Sequence, residues 1–243
     1  MVGSDVVVVW DVDGTLIPAD LRWLRRAIAR TYAIEEGDVV FPARRVHGYT
    51  DESIAVDTAL CSGVSPQRAE AGIGHFRDVL TEVLTEGRDE LAREQPPYPG
   101  AVESIEALHR QGYVQTVLTG NLKAAAEIKL DVAGLGGRLD LGIGGFGSDA
   151  RDRFALPAVV ARRFAARHAR GLDPGRVVVI GDAPNDIACA RHAGFHVVVV
   201  THRTGRDELA THHPDAILDR LTPGDVVSTV ASLVSRSSPP AAS

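Results

Sequence analysis

The order of apolar and polar residues predicts that the chain begins with a buried β-strand. An apolar run at residues 6–10 ends abruptly in Asp11-Val12-Asp13-Gly14. A continuous run of this kind fits a strand that is buried on both faces of a parallel sheet. Because ligands bind beyond the carboxyl ends of strands in open α/β sheets, we expect the chemistry of the protein at this first turn.

The next part of the chain has a helical pattern. Residues 18–95 contain no strong strand run, and their apolar positions recur at helical spacing. Ser65 followed by Pro66 is typical of a helix start, with serine as the N-cap and proline at the first helical position. We therefore predict that residues 18–95 form an all-helical insertion, which ends at a proline- and glycine-rich hinge, residues 95–100.

From residue 101 the pattern alternates between helices and strands. The predicted strands are 113–119, 141–146, 177–180, 196–200 and 216–218, and the predicted helices are 101–111, 122–133, 154–168 and 186–192. This alternation predicts an α/β fold with a doubly wound, Rossmann-like parallel sheet. Residues 1–17 and 96–234 would form this core, residues 18–95 an inserted helical cap, and residues 235–243 a disordered tail.

Composition narrows the class of partner. A net charge of -6, with no cluster of basic residues, argues against nucleic acid and against an anionic membrane surface. Two cysteines far apart in sequence, Cys61 and Cys189, favour a reducing cytoplasmic compartment, and no apolar run predicts a leader or a membrane span. We expect a small-molecule partner, with the protein a monomer or a homodimer.

Polar residues follow three of the predicted strands. They are Asp11 and Asp13 after the first strand, Thr119, Gly120 and Asn121 after the second, and Asp182 and Asp186 after a later one. The carboxyl ends of parallel strands meet at one edge of a sheet, so these groups should converge. Residues two apart lie on the same side of an extended chain, and Gly14 permits the sharp turn that follows.

Two other interpretations of these motifs need to be weighed. A helix-loop-helix calcium site requires glycine at loop position 6 and glutamate at position 12, whereas the glycine here follows at position 4, which excludes that site. Asp186 could also serve as the N-cap of a helix, and this role is compatible with a role in the site.

The three motifs together resemble a known family. In chain order they are hhhhDxDGTL, hhhTG and hhGDxxxD, where h is an apolar residue. This order resembles the haloacid dehalogenase-like hydrolase superfamily, in particular members with a helical cap that are similar to phosphoglycolate phosphatase. The resemblance covers residues 5–222, and it implies a Rossmann-like core with an inserted cap.

The resemblance implies chemical roles for these residues. Asp11 would attack phosphorus and form an aspartyl-phosphate, and Asp13 would protonate the leaving oxygen and then activate water. The phosphate-binding groups would be the Thr119 hydroxyl and the backbone N–H groups of Gly120 and Asn121.

A metal ion is also implied. Carboxylates that face a phosphate dianion repel it, and a site of oxygen ligands with open water positions indicates Mg²⁺. The ligands implied by the resemblance are Asp11, the main-chain carbonyl of Asp13, and Asp182. Asp186 would support this site or bind the metal through water.

One expected residue is missing. Most relatives carry a lysine before the last motif, and the aligned position lies near Leu156. We expect Arg153 to supply this positive charge, with Lys123 as the second candidate, although either could be a solvated surface charge. Lys129 is roughly 240 degrees around the helix from Lys123, so we expect it to be less able to reach the site.

The motifs discriminate among the chemistries of the superfamily. Dehalogenases usually lack an acid that matches Asp13, and phosphonate-cleaving members need a cap lysine, which residues 16–99 do not contain. We therefore predict a Mg²⁺-dependent phosphatase of small phosphomonoesters. A sugar phosphomutase remains an alternative, as does a non-catalytic phospholigand-binding protein, although such a protein would not need both Asp11 and Asp13.

The cap is expected to select the substrate. Arg45, His47 and Tyr49 lie where related caps contact the leaving group, and a polar interhelical loop is the competing interpretation of the same residues.

Overall fold

A six-stranded parallel sheet forms the centre of the protein. The computed structural model describes residues 6–43 and 49–236. The strands are β1 (Val7–Trp10), β2 (Val114–Thr119), β3 (Gly145–Phe146), β4 (Val177–Gly181), β5 (His196–Val200) and β6 (Ala216–Leu218). Their order is β3-β2-β1-β4-β5-β6, and every neighbouring pair is parallel. Strands β1, β2 and β3 follow one another outward on one side of the sheet, and β4, β5 and β6 do so on the other side. The topological switch point therefore lies between β1 and β4.

Helices make up most of the remaining chain. The first five are α1 (Arg22–Tyr32), α2 (Asp51–Cys61), α3 (Pro66–Ala71), α4 (Ile73–Glu86) and α5 (Arg88–Glu94). The others are α6 (Ala101–Arg110), α7 (Lys123–Val132), α8 (Leu156–His168), α9 (Pro184–His192), α10 (Arg206–Ala210) and α11 (Pro223–Arg236). Among the helices described, none is both long and apolar enough to span a lipid bilayer.

The sheet is covered by helices on both faces, as the sequence predicts. Side chains alternate along a strand, so Val8 and Trp10 of β1 pack into one apolar cluster while Val7 and Val9 pack into another. Helices α6 and α11 cover the first face, and α8 and α9 cover the second. Burial on both faces explains why β1 is entirely apolar.

The helical insertion has an apolar cluster of its own. Its largest buried side chains include Trp23, Phe76 and Leu80, and the cluster continues onto α7 of the core through Leu122 and Ala125. The predicted start of α3 is confirmed, because the Ser65 hydroxyl accepts a hydrogen bond from the Arg68 backbone N–H and Pro66 is the first helical residue. The cap therefore rests on the helix that follows β2.

Several predicted boundaries were wrong, and two helices were missed. The strand predicted at 141–146 is reduced to β3, because residues 141–143 turn and Gly145 passes so close to α8 that an added Cβ would lie 3.0 Å from the Leu156 carbonyl oxygen. Helix α9 begins at Pro184, two residues before the predicted start. Helices α10 and α11 were not predicted, and α11 includes Ser235 and Arg236, which the prediction assigned to the tail. Residues 237–243 lie outside the described part of the chain.

Candidate active site

Three buried carboxylates meet at the switch point of the sheet. Asp11 follows β1, and its backbone N–H donates to the Ile180 carbonyl at 2.9 Å, which continues the pairing with β4. Asp182 follows β4, and Asp186 lies in the first turn of α9. Oxygen atoms of Asp11, Asp182 and Asp186 all lie within 4.8 Å of one another, so the predicted convergence is found.

Gly14 allows this close approach. Its φ angle is +96°, and a Cβ at this position would lie 2.4 Å from Asp182 Oδ2. The backbone N–H of Gly14 donates to the Ile17 carbonyl at 2.7 Å, and the Thr15 hydroxyl donates to Asp182 Oδ1 at 3.3 Å. Any side chain at position 14 would push the turn away from Asp182.

Arg153 lies among the carboxylates. The side chain is buried, and its Nη2 lies 2.9 Å from Asp11 Oδ1 and 2.5 Å from Asp186 Oδ1. Burial opposes the charged guanidinium, but Asp186 and Asp11 together raise the pKa of Arg153 above its ordinary value. Arg153, the residue that we expected to replace the lysine of most relatives, is therefore in direct contact with Asp11.

Asp186 also supports the local backbone. Its Oδ2 accepts hydrogen bonds from the backbone N–H groups of Asp182 and Ala183, at 3.1 and 3.0 Å. These two donors lie at the N-terminus of α9, where a carboxylate is favourable. Asp186 lies at the third residue of the helix rather than at the N-cap, so it caps the helix and also lies beside Arg153.

The electrostatics of the cluster fit a hard divalent cation. Burial and the nearby charge of Asp186 raise the pKa of Asp11 to about 7, although Arg153 opposes this shift. Burial, then Asp186 and Asp11, raise the pKa of Asp182 to about 8. Asp182 Oδ2 is buried and accepts no hydrogen bond from the described residues, with Arg203 Nη1 3.6 Å away. An all-oxygen donor set with excess negative charge is what Mg²⁺ prefers.

Lys129 contacts Asp13, contrary to our expectation from the sequence. Its Nζ lies 2.7 Å from Asp13 Oδ2 and 3.2 Å from Asn121 Oδ1, and the side chain is buried. Burial opposes the ammonium charge, but Asp13 and Asp51 raise the pKa of Lys129 above its ordinary value. Lys129 is therefore a charged residue of the site.

The expectation failed because it assumed that Lys123 faces the site. Lys123 lies on the exposed side of α7, where its Nζ is 3.8 Å from Glu127 Oε1. The opposite side of the helix, which carries Ala125 and Lys129, is buried. A long helical side chain points toward the helix N-terminus, so the Lys129 ammonium reaches back to the end of β2.

The segment after β2 is closely packed against the cap. Thr119 is buried, and its hydroxyl accepts from the Asn121 backbone N–H at 3.2 Å. A Cβ on Gly120 would lie 1.9 Å from the Tyr49 carbonyl oxygen. The predicted phosphate-binding residues Thr119, Gly120 and Asn121 therefore lie at the contact between core and cap.

Asp51 is a site residue that the sequence did not identify. It begins α2, and its carboxylate accepts from the Leu122 backbone N–H at 2.8 Å and from Asn121 Nδ2 at 3.4 Å. Burial raises the pKa of Asp51 to about 6, although Lys129 opposes the shift. The sequence did contain a signal for the start of this helix: Thr50 can serve as the N-cap, with Ser53 three residues later. Asp51 is then the first residue of the helix.

A cavity of about 60 Å³ lies between the core and the cap. Its core wall includes Asp11, Asp13 and Lys129, and its cap wall includes apolar side chains such as Leu21, Ile54 and Leu84. A wider groove of about 520 Å³ shares Tyr49, Asp182 and Arg203 with this cavity. Of the three predicted specificity residues, Tyr49 lines both spaces, whereas Arg45 and His47 lie outside the described residues.

Comparison with known proteins identifies relatives along most of the chain. A model of the haloacid dehalogenase-like hydrolase family matches residues 8–191. The chain is 28% identical over 241 residues to the probable phosphatase IndB of Dickeya dadantii, covering 96% of this chain and 97% of that protein. It is 25% identical over 219 residues to a phosphoglycolate phosphatase of Mesorhizobium japonicum, covering 88% and 91%.

A solved structure shares the fold. The crystal structure of a predicted phosphoglycolate phosphatase from Haemophilus somnus superposes with a TM-score of 0.64 at 21% identity, over 93% of this chain and 99% of that one. The similarity covers the sheet and the helical insertion together, which confirms the predicted fold class.

Proposed function

Because this chain belongs to the haloacid dehalogenase-like hydrolase family, we propose that it is a Mg²⁺-dependent phosphatase of small phosphomonoesters. The observation that carries the proposal is the contact of Arg153 with Asp11, inside a cluster of three carboxylates that faces the cavity under the cap. This contact supports the proposal, because transfer of a phosphoryl anion requires a nucleophile and a cation close together.

The first chemical step uses Asp11 and Asp13. A carboxylate oxygen of Asp11 attacks phosphorus to form an aspartyl-phosphate, and the ester P–O bond breaks. Asp13 gives a proton to the leaving oxygen, so an alcohol rather than an alkoxide departs. Arg153 orients Asp11 and reduces the repulsion between its carboxylate and the phosphate.

The second step releases phosphate. Asp13, now deprotonated, takes a proton from water, whose oxygen attacks phosphorus and displaces the Asp11 carboxylate. The Thr119 hydroxyl and the backbone N–H groups of Gly120 and Asn121 donate to the phosphoryl oxygens throughout. The carboxylates of Asp11 and Asp182 and the main-chain carbonyl of Asp13 would hold Mg²⁺, with Asp186 supporting the site or binding through water, and the ion would supply electrostatic stabilisation of the phosphoryl group.

The substrate class is a small phosphorylated metabolite. The relatives named phosphatase and phosphoglycolate phosphatase support this class. The narrow cavity supports a substrate whose phosphoryl group is enclosed, with the leaving group directed toward the cap and the groove beside Tyr49. We propose that Arg45, His47 and Tyr49 contact this leaving group.

The test is phosphate release from p-nitrophenyl phosphate and from a panel of phosphorylated metabolites that includes phosphoglycolate and hexose 1-phosphates. We expect Mg²⁺-dependent release, loss of activity with EDTA, and loss of at least 100-fold in Asp11→Asn. Activity that survives EDTA or this substitution would contradict the mechanism.

Two further outcomes separate the alternatives. Conversion of a hexose 1-phosphate into its isomer without release of phosphate would indicate a phosphomutase. Binding of phosphate without any turnover would indicate a phospholigand-binding protein.

An unchanged substrate ranking in Arg45→Ala and His47→Ala would count against the specificity assignment.

A further inference from the structure

The two carboxylate oxygens of Asp13 have different surroundings. Oδ2 lies 2.7 Å from the ammonium of Lys129. Oδ1 is buried and has no hydrogen-bond partner among residues 6–43 and 49–236. A buried carboxylate oxygen without a hydrogen-bond donor is energetically unfavourable. We therefore expect Oδ1 to have a partner during the reaction.

Lys129 is itself fixed at two points. Its Nζ donates to Asp13 Oδ2 and also to Asn121 Oδ1, at 2.7 and 3.2 Å. The amide of Asn121 is held in turn by Asp51, because its Nδ2 donates to Asp51 Oδ1 at 3.4 Å. Because Asn121 holds the Lys129 ammonium in place, the ammonium cannot move with the Asp13 carboxylate. The contact between Lys129 and Oδ2 therefore restricts rotation of the Asp13 carboxylate.

We propose that Lys129 is a positioning residue that selects which oxygen of Asp13 moves the proton. Lys129 holds Oδ2, and Oδ1 faces the reacting group. Oδ1 gives its proton to the leaving oxygen in the first step and takes one from water in the second. This inference rests on the proposed phosphatase function, and it adds a residue that the three sequence motifs do not contain.

The role predicts a dependence on the leaving group. An alkoxide is a poor leaving group and needs the proton from Asp13, whereas p-nitrophenolate is a stable anion that leaves without one. Misplacement of Asp13 should therefore slow formation of the aspartyl-phosphate far more from alkyl esters than from p-nitrophenyl phosphate. A residue that only stabilised the fold would change the rates of both esters by the same factor.

The kinetic experiment compares glycerol 3-phosphate with p-nitrophenyl phosphate. In Lys129→Met we expect kcat/KM, which reports the steps up to departure of the leaving group, to fall about 100-fold for glycerol 3-phosphate and less than about 10-fold for p-nitrophenyl phosphate, since general acid catalysis contributes about 10²–10⁴-fold. Lys129→Arg keeps the charge and should recover part of the selective loss. An equal loss of kcat/KM for both esters would overturn the proposal, whereas kcat also includes hydrolysis of the shared aspartyl-phosphate and can fall equally for both.

The matched control is Arg88→Met. Arg88 forms an exposed ion pair with Asp131 of α7, away from the cavity, so its replacement removes a basic side chain that contacts the same helix. We expect both rates to stay within about 2-fold of wild type, as is usual for exposed pairs. If Lys129→Met does not fold, the comparison is made with Lys129→Arg, for which the ratio of the two rates should still shift in the same direction.

A second measurement tests the contact without activity. The chain has two lysines, so ¹⁵N spectra of the lysine Nζ groups contain two side-chain signals, and Lys123 serves as the reference. Asp13→Asn should shift the Lys129 signal and speed exchange of its protons with water, while the Lys123 signal stays in place. An unmoved Lys129 signal would overturn the proposal. If wild type hydrolyses neither ester, the proposed function fails, and this spectrum alone decides whether Lys129 holds Asp13.

Discussion

At the residue scale, the properties of Arg153 follow from its geometry. One guanidinium nitrogen contacts both Asp11 and Asp186, for which we propose different chemical roles. A lysine ammonium is a single point charge on a flexible stem, whereas the planar guanidinium has a fixed direction for each donor. Arg153 can therefore orient Asp11, the proposed nucleophile, while it remains paired with Asp186, the carboxylate that supports α9.

This geometry predicts different results for two substitutions of Arg153. Arg153→Met should lower kcat by at least about 100-fold, because it removes the charge beside Asp11. It should also lower the free energy of unfolding by about 3–5 kcal/mol, the usual cost when one partner of a buried ion pair is removed. Arg153→Lys should retain more activity than Arg153→Met. Steady-state kinetics and urea unfolding at saturating Mg²⁺ measure both effects, and equal activity of the two variants would contradict the role of the charge.

The raised pKa values of Asp11 and Asp182 predict how stability depends on pH. Both groups bind protons more tightly in the folded chain than in the unfolded chain, where the carboxyl pKa is about 3.9. The metal-free protein should therefore lose stability as pH rises from about 4 to about 8. Mg²⁺ binds the deprotonated carboxylates, so its stabilising effect should grow over the same range.

Urea unfolding at pH 5 and pH 8 tests this prediction, with EDTA and with Mg²⁺. The expected difference with EDTA is at least about 1 kcal/mol in favour of pH 5, since one pKa unit corresponds to about 1.4 kcal/mol. Asp182→Asn is the control variant, because it removes one of the shifted groups and should weaken both the pH dependence and the effect of Mg²⁺. Stability that rises toward pH 8 in EDTA would contradict the prediction.

At the scale of elements, the N-terminus of α2 connects the cap to two loops of the core. Asp51 accepts from the Leu122 backbone N–H, next to the predicted phosphate-binding residues. Glu52 pairs with Arg151 at 3.2 Å, and the Thr50 hydroxyl donates to the Arg151 carbonyl at 3.0 Å. Arg151 is two residues before Arg153, so one helix start contacts both the loop that follows β2 and the loop that follows β3.

Replacing Asp51 should therefore affect the site through the cap. Asp51→Ala leaves the Leu122 N–H without its carboxylate acceptor and should cost about 1–3 kcal/mol of stability. We expect kcat to fall and KM to rise together, because both the cavity and the loop after β2 depend on the contact. Asp78→Ala is the control, since Asp78 is an exposed acid of α4. Unchanged kinetics in Asp51→Ala would show that the contact does not serve the site.

The elements differ in how well the sequence predicts them. The strands β1, β4 and β5 could be predicted because uninterrupted valine-rich runs fit burial on both faces. The extent of β3 could not, because the approach of Gly145 to α8 is a tertiary contact. The apolar positions of α11 do have helical spacing, with a proline at its start, so this helix was predictable and was missed.

The site divides in the same way. Asp11 and Asp182 directly follow β1 and β4, and Asp13 lies in the turn after β1, so the topology brings them together once the sheet is predicted. Arg153 could be inferred from the charge that the chemistry needs. Lys129 could not, because the side of α7 that faces the core is set by packing of the cap against Leu122 and Ala125.

At the scale of the whole molecule, the position of the cap depends on a close backbone contact. The Asp51 backbone N–H donates to the Gly120 carbonyl at 2.8 Å. A Cβ on Gly120 would lie 1.9 Å from the Tyr49 carbonyl oxygen, and backbone atoms cannot move aside as a flexible side chain can. A substitution at Gly120 must therefore displace the start of α2 from the core.

Gly120→Ala should open the junction between cap and core without unfolding either part. The apolar clusters of the sheet do not include position 120, so far-UV circular dichroism should match wild type. Activity should fall at least about 10-fold, because small displacements of positioned groups have large effects on rate. The Asp51 amide should exchange faster with solvent, because it loses its acceptor. The control is Gly74→Ala on α4, where an added Cβ meets nothing within 4 Å and alanine should slightly stabilise the helix. If Gly120→Ala loses activity while the Asp51 amide still exchanges slowly, the junction is intact and the substitution acts on phosphate binding alone.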